Sequence, residues 1–305
     1  MKLYYEDTDI TDDVDIVSAV HRDVSGGRSD CLELTLDHAA TWNRWKPQID
    51  DSIELAYNGY TTGRLFLNTI LPEGDRYRIL ATGARRSAQR KAWAAFEGKT
   101  LGEIAKLCAA ECRMEHRLYG VSEQYAYPYL LRRNESCPAF LSRIAQMEGA
   151  VLKTYGGRLT MISIAAAQEL PALSTLVLGS RQEGVRYMRR EGAKLASLTV
   201  RTPYTSASAT DSSAQHGPDE SRCELPATDA ATAGRWARGL LLAHNRQCEK
   251  LDVQSEINIG YTAMTRIDVE SEMDYGGRWI IDEAEHDFVN KKSRISLLRV
   301  IDTVE

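Results

Sequence analysis

No stretch of the sequence approaches the ~18 consecutive apolar residues of a membrane-spanning helix, and the mean hydropathy is −0.38. A helical membrane span is therefore excluded, and no membrane insertion is expected. Cysteine is scarce, with six residues at 31, 108, 112, 137, 223 and 248 in a chain of 305. That is too sparse for a disulfide scaffold and suits folding in a reducing cytosol. A basic excess is also missing. The formal charge is −5 and the pI about 5.8, which argues against gross affinity for nucleic acid. The opening MKLYYEDTDITDD has no apolar h-region and turns acidic at once, so it does not read as a secretory signal. Hydrolase signatures are absent: there is no Gly-x-Ser-x-Gly elbow, no supported Ser-x-x-Lys and no His-Glu-x-x-His. Gly156-Gly157 and Gly276-Gly277 read as turns, because neither opens a helix after a strand or precedes Lys-Ser/Thr.

What is present is ordinary globular material, 43% hydrophobic and 27% charged, enough for one large domain or roughly two. Residues 1–92 read as strands. Leu32–Asp37, Ser52–Tyr57 and Arg76–Ala81 alternate apolar and polar residues, which puts one set on a core face. Asn58-Gly59 is a hairpin signal before Tyr60–Ile70. The period then changes. Thr100 and Glu103 form a capping box, and Leu101, Ile104, Ala105, Cys108 and Cys112 share one helical face. A second helix is expected from Ser136-Cys137-Pro138 to Gly149, followed by strands Val151–Tyr155 and Arg158–Ile164 paired across the two glycines. Strands resume from Leu176. Residues 203–221, rich in Ser, Thr, Ala and Asp, read as an exposed mobile loop. A helix is expected over 229–248, with strands to the end. The fold class is thus mainly β with an α+β insertion. It divides into a first β-barrel-like unit at 1–92, a small α+β unit at 93–166, and a second β-barrel-like unit at 167–305 holding the loop and the helix.

Several constellations invite a chemical reading. Cys108, Cys112 and His116 stand at i, i+4 and i+8, but the cysteines lie on an apolar stripe and zinc wants four ligands. No metal site is assigned there, nor at His244 and Cys248. Asp282, Glu283 and Glu285 are acids on a polar strand face, read as solvated rather than as a glycosidase pair. Arg85, Arg86, Arg90 and Lys91 with Trp93 and Phe96 are read as a subunit-contact or solvated patch in preference to a single-strand nucleic-acid site. The acidic run Glu6, Asp7, Asp9, Asp12, Asp13 and Asp15 is a solvated loop or a surface that repels DNA. No catalytic residue and no cofactor is expected.

The ordered set of elements resembles a known family. It comprises Gly63-Arg64-Leu65-Phe66-Leu67, Tyr77–Gly83, the helix start Phe96–Ala105 with Thr100 and Glu103, the helix Ala233–His244, and Gly277-Arg278-Trp279-Ile280-Ile281 leading to His286-Asp287-Phe288. The chain is similar to the late control protein D and tail-hub family of contractile phage tails and phage-tail-like bacteriocins, and to the hub part of type VI secretion spikes. The resemblance implies a non-enzymatic homotrimer at the centre of a baseplate, assembled in the bacterial host cytoplasm. Two similar β-barrel-like units per protomer would make a pseudo-sixfold ring between a sixfold tail tube and a threefold spike. Tube, spike, baseplate wedge and tape-measure proteins would be its partners, and DNA would pass without specific binding. A glycine before an aromatic in each half, Gly63 with Phe66 and Gly277 with Trp279, hints at duplication. Two other classes compete: a tail-associated cell-wall hydrolase with acids in 93–166, and a glycan-binding module stacking sugars on Tyr125, Tyr127 and Tyr129.

Overall fold

A computed structural model describes all residues except 38–41, 43 and 181. The first region holds β1 (Lys2–Tyr5), β2 (Thr8–Asp9), β3 (Asp15–Val24), β4 (Cys31–Asp37), β5 (Ser52–Tyr57), β6 (Tyr60–Thr61), β7 (Leu65–Glu73) and β8 (Arg76–Thr82). The middle region holds β9 (Ala92–Thr100), α1 (Leu101–Glu111), β10 (Glu115–Tyr119), β11 (Ala126–Glu135), α2 (Cys137–Met147), β12 (Ala150–Tyr155), β13 (Arg158–Ser163) and α3 (Ile164–Glu169). Then come β14 (Thr175–Val177), β15 (Val185–Arg189), β16 (Ser197–Arg201), β17 (Ser206–Thr210), β18 (Asp219–Arg222), α4 (Ala230–Asn245), β19 (Glu249–Glu256), β20 (Arg266–Glu270), β21 (Gly277–Asp287) and β22 (Lys292–Arg299). The chain is mainly β with small α+β parts, as its alternation pattern predicts.

Six strands of the first region lie side by side in the order β3-β4-β8-β7-β5-β1, and six of the last in the order β15-β19-β22-β21-β20-β14. Numbered by appearance within each set, both orders are 2-3-6-5-4-1. All six strands of each set send side chains into one cluster. Leu3, Ala19, Leu34, Leu55, Leu65 and Ile79 meet in the first, and Leu176, Tyr187, Leu251, Ile267, Trp279 and Leu297 in the second. Each sheet therefore curves around its own core. One direction differs: β1 runs antiparallel to β5, whereas β14 runs parallel to β20.

The middle core gathers Leu101, Cys108, Phe140, Ile144, Leu152 and Met161, but also Leu198, Ala209, Trp236 and Leu241. Residues 195–241 thus pack with the middle region, although they lie within the 167–305 stretch. The loop expected at 203–221 is corrected here: it contains β17 and β18, which flank β16 in a three-stranded sheet. Its Ser206-Ala207-Ser208-Ala209-Thr210 has period 2, with alanines turned to α4 and hydroxyls outward, as in the Thr199–Ser208 pair at 2.8 Å. Small residues are used because α4 lies close on the sheet, and small side chains do not register as a hydrophobic strand. The Thr100–Glu103 box forms, with Thr100 N donating to Glu103 at 2.8 Å and Glu103 N to Thr100 Oγ1 at 3.2 Å.

At the crossing of α2 and α4, a Cβ on Gly239 would come within 2.2 Å of the Met147 carbonyl oxygen and 2.4 Å of the Gly149 nitrogen. Gly239→Ala is expected to destabilise the chain by roughly 1–3 kcal/mol. Gly234→Ala, whose Cβ would meet Ala207 at 3.7 Å, is expected to be neutral or stabilising by up to ~1 kcal/mol. Urea unfolding of the two variants checks the contrast.

Candidate functional site: the seam between the two β units

Strands β7 and β21 are counterparts down to backbone detail. Each carries a bulge, between Leu67 and Thr69 in one and between Ile281 and Glu283 in the other. Counting back from the bulges aligns Gly63-Arg64-Leu65-Phe66-Leu67 with Gly277-Arg278-Trp279-Ile280-Ile281. Both glycines have positive φ, +64° and +127°, where a side chain is strained. Asp50 N donates to Leu67 O and Leu67 N to Asp51 O; Met264 N donates to Ile281 O and Ile281 N to Thr265 O. Asp50 and Met264 also share positive φ, +75° and +68°. The bulge sets Trp279 level with Leu65, not with Phe66 as the glycine-aromatic spacing suggests. Trp279 and Leu65 are fully buried, while the Arg85 guanidinium stacks 4.3 Å over the Phe66 ring.

The two units meet through one antiparallel ladder, β3 against β21, pairing Val24 with Glu283, Arg22 with Glu285 and His21 with His286. It makes both sheets one continuous 14-stranded sheet. On one face, Arg22 Nε reaches Glu285 at 2.7 Å, Arg22 Nη1 reaches Glu33 at 2.5 Å, and Arg28 pairs with Glu283. Asp282, the bulge residue, accepts from the Ser25 hydroxyl and faces the buried Arg246 guanidinium at 3.5 Å. Of the acids read from sequence as solvated, Glu283 and Glu285 are therefore ion-paired across the seam, and Asp282 accepts a hydrogen bond across it.

The opposite face is buried. His21 Nδ1 bonds the Tyr60 hydroxyl at 2.7 Å, and His286 bonds Ser293 Oγ and the Tyr261 carbonyl, both at 2.9 Å. Next to them Asp23 and Asp30 flank Lys153 from β12, with Lys153 Nζ 3.1 Å from Asp30 Oδ2. Asp23 also accepts from Ala263 N at 3.2 Å, and Asp30 from Val24 N at 3.1 Å. Asp23 thus touches all three regions of the chain. Burial pulls the Lys153 ammonium down, but the two carboxylates outweigh it and hold it above its usual range. Burial pushes Asp30 up against the pull of Lys153. Burial, with His286 and Lys153 nearby, takes His21 down to about 3, and burial lowers His286. Both imidazoles are neutral at pH 7.

The remaining sequence candidates disperse. Cys108 and Cys112 pack beside Cys137, whose Sγ accepts from Arg132 at 2.9 Å. His116 lies on β10, past the end of α1, so no helical face presents all three. Among the described residues no group of three or more His, Cys, Asp or Glu could hold a metal ion, and no helix is long and apolar enough to cross a membrane. His244 Nε2 bonds the Ala193 carbonyl, and Cys248 Sγ reaches the His244 carbonyl. Phe96 stacks on Phe140 while Trp93 is exposed, so the basic cluster has no row of stacking rings. Tyr127 is buried with its hydroxyl on Glu148, Tyr125 lies under Arg235, and of the three tyrosines only Tyr129 is a large exposed ring. Of the acidic run, Asp7 pairs with Arg64 at 2.6 Å and Glu6 accepts from Ser52 N. Of the seam residues, His286 and the acids Asp282, Glu283 and Glu285 stood out in the sequence, but the contact they make did not. Its one local signal was the pair of Gly-Arg strands.

This architecture, two six-stranded units fused edge to edge with an α+β insertion, is shared with solved phage tail proteins. The chain superposes on the 43 kDa tail protein of prophage MuSo2 from Shewanella oneidensis with TM-score 0.75, at 14% identity, covering 98% of this chain and 97% of that one. A tail protein from Neisseria meningitidis gives TM-score 0.75 at 10% identity over 98% and 95%. An Escherichia coli component of the type VI secretion system, itself similar in structure to T4 bacteriophage tail proteins, gives 0.59 at 12% over 95% and 75%. No protein-family model and no curated protein matches the sequence.

Two outcomes are expected at the seam. Lys153→Met leaves two buried carboxylates uncompensated and should cost about 3–5 kcal/mol in urea unfolding. For the histidines, the unfolded chain takes up protons as pH falls through ~6.5, whereas folded His21 holds out to about 3. Stability is therefore lost over that interval, and Asp30, raised when folded, offsets part of it. Asp23, Lys153, Tyr60 and His286 all face His21, and His21→Gln should flatten the loss between pH 7 and 5 by up to ~1.4 kcal/mol per pH unit.

Proposed function

We propose that the protein is the central hub of a contractile tail or tail-like injection particle. Three copies form a ring whose six β units follow sixfold symmetry closely enough to seat a tail tube, while the chains themselves keep threefold symmetry for a spike. The observation that carries this is the duplication: two units of identical strand order, with bulges and left-handed residues in matching places, joined edge to edge within one chain. A step from one unit to the next that repeats is a head-to-tail contact, and such contacts close into rings when the rotation permits.

The likeness to phage tail proteins and to the type VI component supports the reading. The complex named PdpA-VgrG, from Francisella, matches the chain with TM-score 0.55 over 93% of it and 53% of the other chain. In this reading 1–92 is one ring unit and the last β region the other, with the α+β region outside the strand order. Spike, tube, wedge and tape-measure proteins are the partners, and the role needs no catalytic residue. Three copies carry a formal charge three times −5, which suits a channel that repels DNA. The site of action is the baseplate of a virion or tail-like particle.

Multi-angle light scattering on the purified chain tests the assembly. A mass of three chains is expected; a stable dimer or a persistent monomer contradicts the hub.

A further inference from the structure

Within the chain, the half of β21 beyond its bulge pairs with β3 (Glu283–Asp287 against Val20–Val24). Among the described residues the matching half of β7, Thr69–Glu73, pairs with β8 on one side only. Its contacts with β5 end at Phe66, and those with the preceding loop end at Leu67. The counterpart of β3 is β15, which ends the strand path and, among the described residues, pairs only with β19. Each unit thus offers the same two edges, and among the described residues of one chain only one edge of each kind is filled.

The geometry points to a second copy of this chain as the occupant: β15 of one protomer adds to the free half of β7 of the next, in the register of β3 on β21. This deepens the threefold reading and rests on it. The register follows from the matched ladders. Leu32 and Leu251 sit level because their strand partners, Ala81 and Leu297, lie opposite Leu67 and Ile281. His21 opposite Leu32 therefore matches Tyr187 opposite Leu251. Transferring the seam pairs sets Ile70 against Arg189, Leu71 against Met188, Pro72 against Tyr187 and Glu73 against Arg186 of the neighbouring copy.

Three features of the edges agree. The position occupied inside the chain by the Arg22–Glu285 ion pair becomes Leu71 with Met188, an apolar pair, and Leu71 is 46% exposed in the monomer. Glu73 meets Arg186, opposite charges directly across the ladder; among the described residues neither has an ion-pair partner. Pro72 removes one donor from the free edge, a device that also guards lone edge strands, but it keeps its carbonyl and lies against the Tyr187 ring. The Phe288 N to Ala19 O bond at 3.0 Å fixes which pairs share hydrogen bonds. By alternation, Arg22–Glu285, and so Leu71–Met188, falls at a non-hydrogen-bonded site, where Cα atoms approach to ~4.5 Å.

That spacing allows a disulfide. The full chain carrying Leu71→Cys and Met188→Cys, oxidised with copper phenanthroline, should give covalent dimers and trimers on a non-reducing gel. Either single variant, which controls for the exposed Cys223, and the off-register Thr69→Cys/Met188→Cys pair should not. Glu73→Arg should shift the trimer towards monomer on light scattering, and adding Arg186→Glu should restore it. A trimeric wild type without the double-variant bands, or without charge-swap rescue, overturns this seam and leaves the threefold reading standing. A monomeric wild type overturns both.

Discussion

The architecture depends on one ladder, β3 against β21, and on the buried carboxylate of Asp23 at its heart. A β unit of this kind has an edge strand at each end, and exposed edges invite pairing. Here an edge of the first unit is consumed by an edge of the second, so two curved sheets become one. Asp23 then binds Lys153 of the middle region and the backbone of Ala263 in the second unit. Buried charges of this type contribute little net stability but are costly to unpair. Their effect is to fix one relative placement of three pieces that would otherwise each fold around its own core. The buried histidine pair on the same face adds side-chain hydrogen bonds to the seam, His21 to Tyr60 and His286 to Ser293 and the Tyr261 carbonyl.

Duplication explains why the chain can be both regular and specialised. The two units share strand order, bulge positions and left-handed residues, features of backbone geometry that survive while side chains change. Their differences lie where the symmetry of the units gives way. The turn between β3 and β4 is short, whereas the corresponding span between β15 and β19 contains β16–β18 and α4. That span leaves the second unit and docks on α2, with Glu148 accepting from Tyr127, Arg235 and Trp236. The α+β region is thus built from both sides of β14 and β15, and it packs against both units, through Lys153 on Asp23 and Asp30 of the first and through Ile164 and Leu242 beside Met264 and Ile280 of the second.

The sequence revealed the strands of the first unit, the capping box at Thr100 and Glu103, the helix at α2 and the β12–β13 hairpin. In each of these a period or a cap is written in large or strongly biased residues. It did not reveal β17, because alanine at alternate positions lacks the hydrophobic weight that marks a strand. Nor did it give the packing of α4 against α2, which depends on Gly239 allowing a backbone approach no local pattern encodes. The seam stayed hidden for a similar reason. Asp23, Asp30 and Lys153 are far apart in sequence, and Asp282, Glu283 and Glu285 read as a wet acidic stretch until their arginine partners are placed opposite. Even the duplication was visible only as a faint glycine-aromatic echo, Gly63 with Phe66 and Gly277 with Trp279, whose aromatics are misaligned by one residue until the bulges set the register.

The proposed ring, in which unequal halves of one chain take equivalent places, would reconcile two symmetries without two gene products. The most direct examination is end-on electron-microscopy class averages of the purified oligomer. Six lobes of similar size around an open centre, with residual threefold modulation from the α+β regions, are what this account requires. Three isolated lobes, or averages with twofold symmetry, would contradict it.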